Sequence, residues 1–222
     1  KIYVANLAKV NEELQQLYDI EGSDKMQILK MLTRLRQLCL EPRLVYDNID
    51  QPSSKLKACM ELIKTMQENK QKVLLFSSFT SALGLIAEEC QKTGITYYML
   101  TGSTNKEERR ELVSRFQKDD TTLFLISLKA GGTGLNLTSA ENVIHYDPWW
   151  NVSAQNQATD RAYRIGQKSN VQVFNLVMKD SVEEKIIEMQ KRKKELADMF
   201  VENNSGGLSQ MSKEDILSLF TM

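Results

Sequence analysis

The sequence predicts an α/β fold, a parallel β-sheet with helices on both faces, and three observations carry the prediction. Short apolar, β-rich runs recur at 73–79, 95–100, 122–128, 142–147 and 171–178. Helical stretches lie between and after them, at 81–92, 105–117, 151–163 and 181–200. Three of these helices carry start signals: Thr104-x-x-Glu107 and Ser181-x-x-Glu184 read as capping boxes, and Asn151 reads as an N-cap. Strands alternating with helices of this length make βαβ units, whose crossovers cover both sides of a parallel sheet. Ligands of such sheets sit at the carboxyl ends of the strands, so the loops after the strands are where chemistry is sought.

The remaining elements follow in order. Residues 1–45 place apolar side chains at helical spacing in two runs, split at Gly22-Ser23-Asp24, and Pro42 ends the second. YDNIDQPSS (46–54) is a polar linker, and a further helix is expected over 56–69. SGGLSQ (205–210) reads as a flexible tail linker. The expected organisation is a helical region and linker over 1–54, an α/β lobe over 55–180, and a final helix with tail over 181–222.

Bulk composition excludes several classes. With 222 residues, 41% hydrophobic and 26% charged, the chain resembles an ordinary globular domain with an appendage. Lys plus Arg and Asp plus Glu each number 29, so net charge gives no hint of nucleic acid, and any contact with it must be local. Cys39, Cys59 and Cys90 show neither metal-ligand spacing nor a pairing pattern, which fits a reducing compartment, and no metal site is expected. No apolar run approaches the roughly 20 residues of a membrane span. A chain that starts at Lys1 rather than Met leads us to expect further sequence upstream.

Four segments stand out. LKAGGTGLNL (128–137) follows a strand and carries three glycines in four positions, so its backbone can turn sharply and offer N–H groups to an anion. It lacks the Gly-Lys-Ser/Thr of a Walker A loop, and a tight structural turn explains it as well as a phosphate site. In QNQATDRAYRIGQ (155–167), Arg161 and Arg164 are three apart on a helix and share a face, as do Gln157 and Asp160. Two guanidinium groups at the end of a parallel sheet suit a phosphate, while a solvated helix with an Asp160–Arg164 pair is the alternative. Trp149 and Trp150 follow Asp147-Pro148; one is expected to pack in the core and the other to face a partner. KRKK (191–194) lies on the last helix and reads as a solvated face, while Val182, Ile186, Met189, Leu196 and Phe200 on the same helix fall at heptad-like spacing. His145, the one histidine, falls within a strand and reads as a core residue.

Taken together, these segments resemble the second RecA-like lobe of the Swi/Snf family within the superfamily 2 helicases, over about residues 26–200. KVLLFSSFT (72–80) is similar to motif IV, and LTGSTNKEERRELVSRFQ (100–117) to a D-G-S-T…R…F stretch, with Thr101 where Asp is usual. LISLKAGGTGLNLTSAENVIHYDPWWN (125–151) is similar to motif V and its extension, and QATDRAYRIGQ (157–167) to motif VI. SVEEKIIEMQKRK (181–193) resembles a brace helix. LRQLCLEPRLV (35–45) resembles a stretch that usually reads N-H-P, from which Leu40-Glu41-Pro42 departs.

The resemblance implies a RecA-like sheet preceded by a small helical region, in the C-terminal motor lobe of an ATP-dependent double-stranded-DNA translocase or remodeller of bacterial type. It implies catalytic roles for Arg161 and Arg164 as arginine fingers, supported by Gln157. It gives nucleotide-binding roles to Gly132, Gly134 and Asp160, and DNA-binding roles to Gly102, Ser103, Thr104, Lys129, Ala130 and Trp150. No P-loop or Asp-Glu-x-His motif occurs here, so ATP and Mg²⁺ are expected on an N-terminal lobe of the same polypeptide, and this chain alone is expected to be inactive. Expected partners are double-stranded DNA, that first lobe and a DNA-bound protein as remodelling target, in the bacterial cytoplasm and nucleoid or in a nucleus, with no membrane. An RNA-helicase lobe and a non-enzymatic nucleotide- or protein-binding module remain the alternatives.

Overall fold

The computed structural model describes residues 2–18, 25–131, 136–160 and 170–199. They form two compact units, one made of 1–55 with 178–222 and the other of 56–177.

The second unit holds the sheet. Five strands, β1 (Val73–Ser77), β2 (Tyr97–Leu100), β3 (Leu123–Ser127), β4 (Asn142–His145) and β5 (Gln172–Asn175), pair in the order β2-β3-β1-β4-β5, every pair parallel. Val73 registers with Leu123 on one side and Asn142 on the other, which sets β1 at the centre. Every residue of β1, β3 and β4 is buried, as strands covered on both faces must be. Side chains alternate between those faces. Leu74, Phe76, Phe124, Ile126 and Val143 form one core with Leu100, Phe116, Leu137 and Ala140. Fully burying an apolar side chain of this size contributes about 1.5–3 kcal/mol, so this layer dominates the stability of the unit.

Helices of this unit are positioned by the same pattern. α3 (Ser54–Glu68) buries Leu56, Cys59, Ile63 and Met66 as a single stripe. α4 (Thr80–Thr93) buries Ala82, Leu83, Ile86, Ala87 and Cys90 and ends at Gly94, whose φ of 71° a side chain would strain. α5 (Lys106–Lys118) buries Phe116. Its cap differs from the expected Thr104-x-x-Glu107 box: Asn105 is the N-cap, its side-chain oxygen accepting from Glu108 N at 2.9 Å. An Asn carbonyl reaches the third helical N–H well, which frees the Thr104 hydroxyl to accept from Thr101 N at 3.0 Å. The stretch read as a glycine turn opens with one helical turn, α6 (Leu128–Gly131). α7 (Val152–Thr159) starts after Asn151, whose carbonyl accepts the first helical bond from Gln155 N at 3.2 Å.

The first unit is helical. α1 (Ile2–Tyr18) and α2 (Lys25–Leu40) bury Leu7, Val10, Ile28, Leu32, Leu35 and Leu38. A 3₁₀ turn, Pro42–Leu44, follows α2. Its buried N-cap Glu41, the residue that departs from the family pattern, accepts from Arg43 N at 3.4 Å and from Ser53 N at 2.9 Å, tying the polar linker back to α2. α8 (Val182–Met199) begins with Ser181 accepting from Glu183 N at 3.2 Å, while Glu184 reaches back to Asp180 N at 2.9 Å. Glu183 is buried and takes Lys55 Nζ at 2.6 and 2.7 Å and Met178 N at 2.7 Å. Val182 N donates to the Tyr3 hydroxyl at 2.7 Å, fastening α8 to α1. Cys39 is buried in the same unit, and burial pushes its thiol up to about 12, too high for a reactive thiolate.

Candidate nucleic-acid and nucleotide interface

Two neighbouring strand ends present the first group of candidate residues. β2 and β3 run parallel, with Leu100 registered on Ile126, so the loops that leave them emerge together. After β2 the chain turns tightly: Thr104 N donates to Thr101 O at 3.2 Å, and the Thr101 and Ser103 hydroxyls pair at 2.8 Å. Thr101 thus closes this turn through its hydroxyl in the place where the family pattern has a carboxylate. Gly102 and Ser103 are exposed and Thr104 is half-buried. After β3, Lys129 is exposed and Ala130 is buried. α5, which follows the first of these loops, is bonded to the turn after β3, because Arg109 Nη1 donates to Ala130 O at 3.0 Å.

The second group stands at the ends of β1 and β4. Asp147 is buried just past β4, and its carboxylate accepts from Ser77 Oγ at 2.7 Å, from Ser78 N at 3.0 Å and from Ser78 Oγ. Three donors compensate the desolvation that an isolated buried carboxylate could not bear. The strap lies where the chain leaves β1 towards one edge of the sheet and β4 towards the other, the place where such sheets open a crevice. Sequence reasoning missed it. The signal was there in Ser77-Ser78 and Asp147 each ending a strand, but only the sheet order makes those ends neighbours.

His145 sits in β4, stacked on Phe76 at 5.7 Å, and its Nε2 bonds Thr159 Oγ1 of α7 at 2.9 Å. Burial pushes its pKa down to about 4 against the opposing charge of Asp147, so the ring is neutral near pH 7. Gln155 adds two more anchors for α7, accepting from Trp149 N at 3.2 Å and donating to Asn175 Oδ1 at 3.0 Å. Held this way, α7 leaves Gln157 and Asp160 exposed. Trp150 is only 7% exposed, and Trp149 is half-buried against the core. Arg161, Arg164, Gly132 and Gly134 lie outside the described residues. Among the described residues no three His, Cys, Asp or Glu side chains gather as a metal site, and no helix is long and apolar enough to cross a membrane.

Comparison with known proteins places this geometry. The helicase conserved C-terminal domain family matches residues 54–166. The putative ATP-dependent helicase/translocase of Bacillus subtilis is 39% identical over 89% of this chain and 22% of its own length. The Sulfolobus solfataricus SWI2/SNF2 ATPase C-terminal domain superposes with a TM-score of 0.75 at 26% identity, covering 97% of this chain and 91% of that one. The ATPase core from the same organism in complex with double-stranded DNA gives 0.76 at 31% identity, over 98% of this chain and 47% of that one. The chain spans about a fifth of the length of the curated relatives it matches. By its parallel five-stranded sheet, the match over more than half its length and these neighbours, the chain belongs to the helicase conserved C-terminal domain family, as a RecA-like C-terminal lobe of the SWI2/SNF2 type.

Proposed function

We propose that this lobe works in an ATP-dependent double-stranded-DNA translocase or remodeller, where it supplies arginine fingers and part of the DNA track. The observation that carries the reading is the arrangement of both candidate groups in segments that follow the carboxyl ends of strands in one parallel sheet. Gly102, Ser103 and Lys129 are exposed at the ends of β2 and β3, and Gln157 and Asp160 are exposed on the helix after β4. A lobe that meets a nucleic-acid backbone with one group and a nucleotide with the other can couple the two. Ser103, Thr104, Lys129 and the backbone of Gly102 suit phosphate oxygens, contacts that position a duplex without reading its sequence. Ala130 and Trp150, which the resemblance matches to DNA-binding positions, are both buried. The relative solved with double-stranded DNA favours a duplex over RNA.

On the nucleotide side, Arg161 follows Asp160 directly in the sequence and Arg164 lies three residues further on, with Gln157 three residues before Asp160. ATP supplies the phosphoryl group whose transfer drives the motor. Arg161 and Arg164 stabilise the charge that develops on it, Gln157 and Asp160 orient the arginines, and Gly132 and Gly134 take nucleotide-binding roles. No residue here is assigned to Mg²⁺, which belongs with ATP on a first lobe of the same polypeptide. Closure of the lobes on ATP and reopening after hydrolysis would advance the complex along DNA, displacing a bound protein ahead of it.

The test is Arg164→Ala in the full-length protein. With saturating double-stranded DNA and ATP, turnover should fall about 10³-fold or more, while ATP binding falls far less. Arg164→Lys should not rescue it, since lysine keeps the charge and loses the planar fork. Near-normal turnover by Arg164→Ala would show the arginines to be structural and overturn the reading.

A further inference from the structure

α5 does more than cover the sheet. At its start Arg109 holds Ala130 O at 3.0 Å, just before the glycine-containing stretch. Two turns later, roughly 12 Å along the helix, Gln117 holds the far side of the same stretch: its Nε2 donates to Asn136 O at 2.8 Å and its Oε1 accepts from Ser139 N at 3.0 Å. Gly132 and Gly134 lie in the chain between these two fastenings. The amino end of the same helix is fixed to the β2 loop through the Asn105 cap. A cation near a helix N-terminus opposes the helix dipole, whereas the carbonyl end of a helical turn attracts one. Arg109 is set near the start of α5 and reaches the carbonyl end of α6, so its placement is explained by the second helix rather than by its own.

We infer that Arg109 and Gln117 are positioning residues: together they make α5 a splint that moves the β2 loop and residues 128–131 and 136–139 as one body. The inference rests on the function proposed above and deepens it, because it assigns the coupling between the DNA loops and the motif V segment to two side chains outside both candidate groups. Without the splint each loop answers its own ligand separately, and ATP is consumed without full movement.

The test uses full-length protein carrying Arg109→Gln, Gln117→Ala or both, with Arg110→Gln, an exposed neighbour, as control. ATP turnover is measured with and without saturating double-stranded DNA, and translocation by displacement of a third strand. Each single variant should lower the distance moved per ATP at least threefold, with the KM for ATP changed less than twofold. The double variant should be no worse than the poorer single one, since the two fastenings act as a unit. Arg109→Lys, which keeps a donor and the charge, should recover at least half of the loss. Hydrogen exchange at 129–131 and 136–139 should rise in the variants, and this reading stays valid where a variant melts early. Unchanged distance per ATP, or unchanged exchange in that segment, overturns the inference. A wild-type protein whose turnover ignores double-stranded DNA overturns the proposed function and the coupling with it, whereas a DNA-stimulated wild type with normal variants sinks the splint alone.

Discussion

At the scale of single residues, buried polar groups decide how the site is held. Asp147 shows the pattern: its carboxylate is affordable inside the sheet only because Ser77 and Ser78 supply three donors. His145 shows the reverse case, a group that stays buried by giving up its charge. Its pKa falls from the ordinary 6.5 to about 4 in the folded chain. Between those values the unfolded state binds a proton that the native state refuses, so stability must fall as pH drops from about 6.5 to about 4. The loss attributable to this ring is roughly 3 kcal/mol across the window. Urea unfolding at several pH values, compared with His145→Gln, isolates it from the carboxylates, since the sequence has no other histidine. An identical pH dependence in both proteins would contradict the assignment. Trp150 belongs at this scale too: tandem tryptophans pointed to one indole facing outwards, yet the indole matched to the family's DNA position is the deeper of the two.

At the scale of elements, the buried Lys55–Glu183 pair fixes where the last helix starts. The side chains are 4% and 1% exposed, and Glu183 also accepts from Met178 N. Removing one partner leaves a charge without compensation in the interior, a loss of about 3–5 kcal/mol, whereas replacing both by apolar residues is often nearly neutral. Glu183→Gln should therefore lower the unfolding free energy far more than Lys55→Met combined with Glu183→Leu, and guanidinium-free urea melts at low and high salt should agree, because a buried pair is little screened. Similar losses for the single and double variants would mean that packing, not charge, holds the helix start. Most elements were legible in the sequence because periodicity is a local signal: the apolar runs of β1 and β3 and the stripe of α4 announce themselves. The helical turn α6 was not, since glycines at 131 and 132 argue against a helix and tertiary contacts such as Arg109 to Ala130 override them. The α5 cap slipped by one residue because Thr104 and Asn105 are both good caps and only the turn at Thr101 assigns them different tasks. Gly102, Ser103, Lys129, Gln157 and Asp160 could be named from motifs, but that Asp147 ties β1 to β4 depends on strand order, which no local pattern encodes.

At the scale of the whole molecule, charge balance bears on how the lobe meets DNA. With 29 basic and 29 acidic residues there is no general attraction to phosphate, and the proposed contact would rest on a few side chains such as Lys129. The isolated chain should bind double-stranded DNA weakly, with an affinity that falls steeply as salt rises and hardly depends on sequence. Fluorescence anisotropy with two unrelated duplexes at 50 and about 200 mM salt checks this; tight binding to one duplex only would defeat it. The strand order also has a consequence for synthesis. β1 is the first of the five strands of this sheet to be synthesised and the central one, but Val73 must wait for Leu123, 50 residues later, and for Asn142, 69 residues later. At about 5–20 residues per second the Val73–Ser77 strand stays unpaired for several seconds. Its apolar edges are then open to other nascent chains, so the birth of this lobe, more than its finished state, is where chaperones are needed.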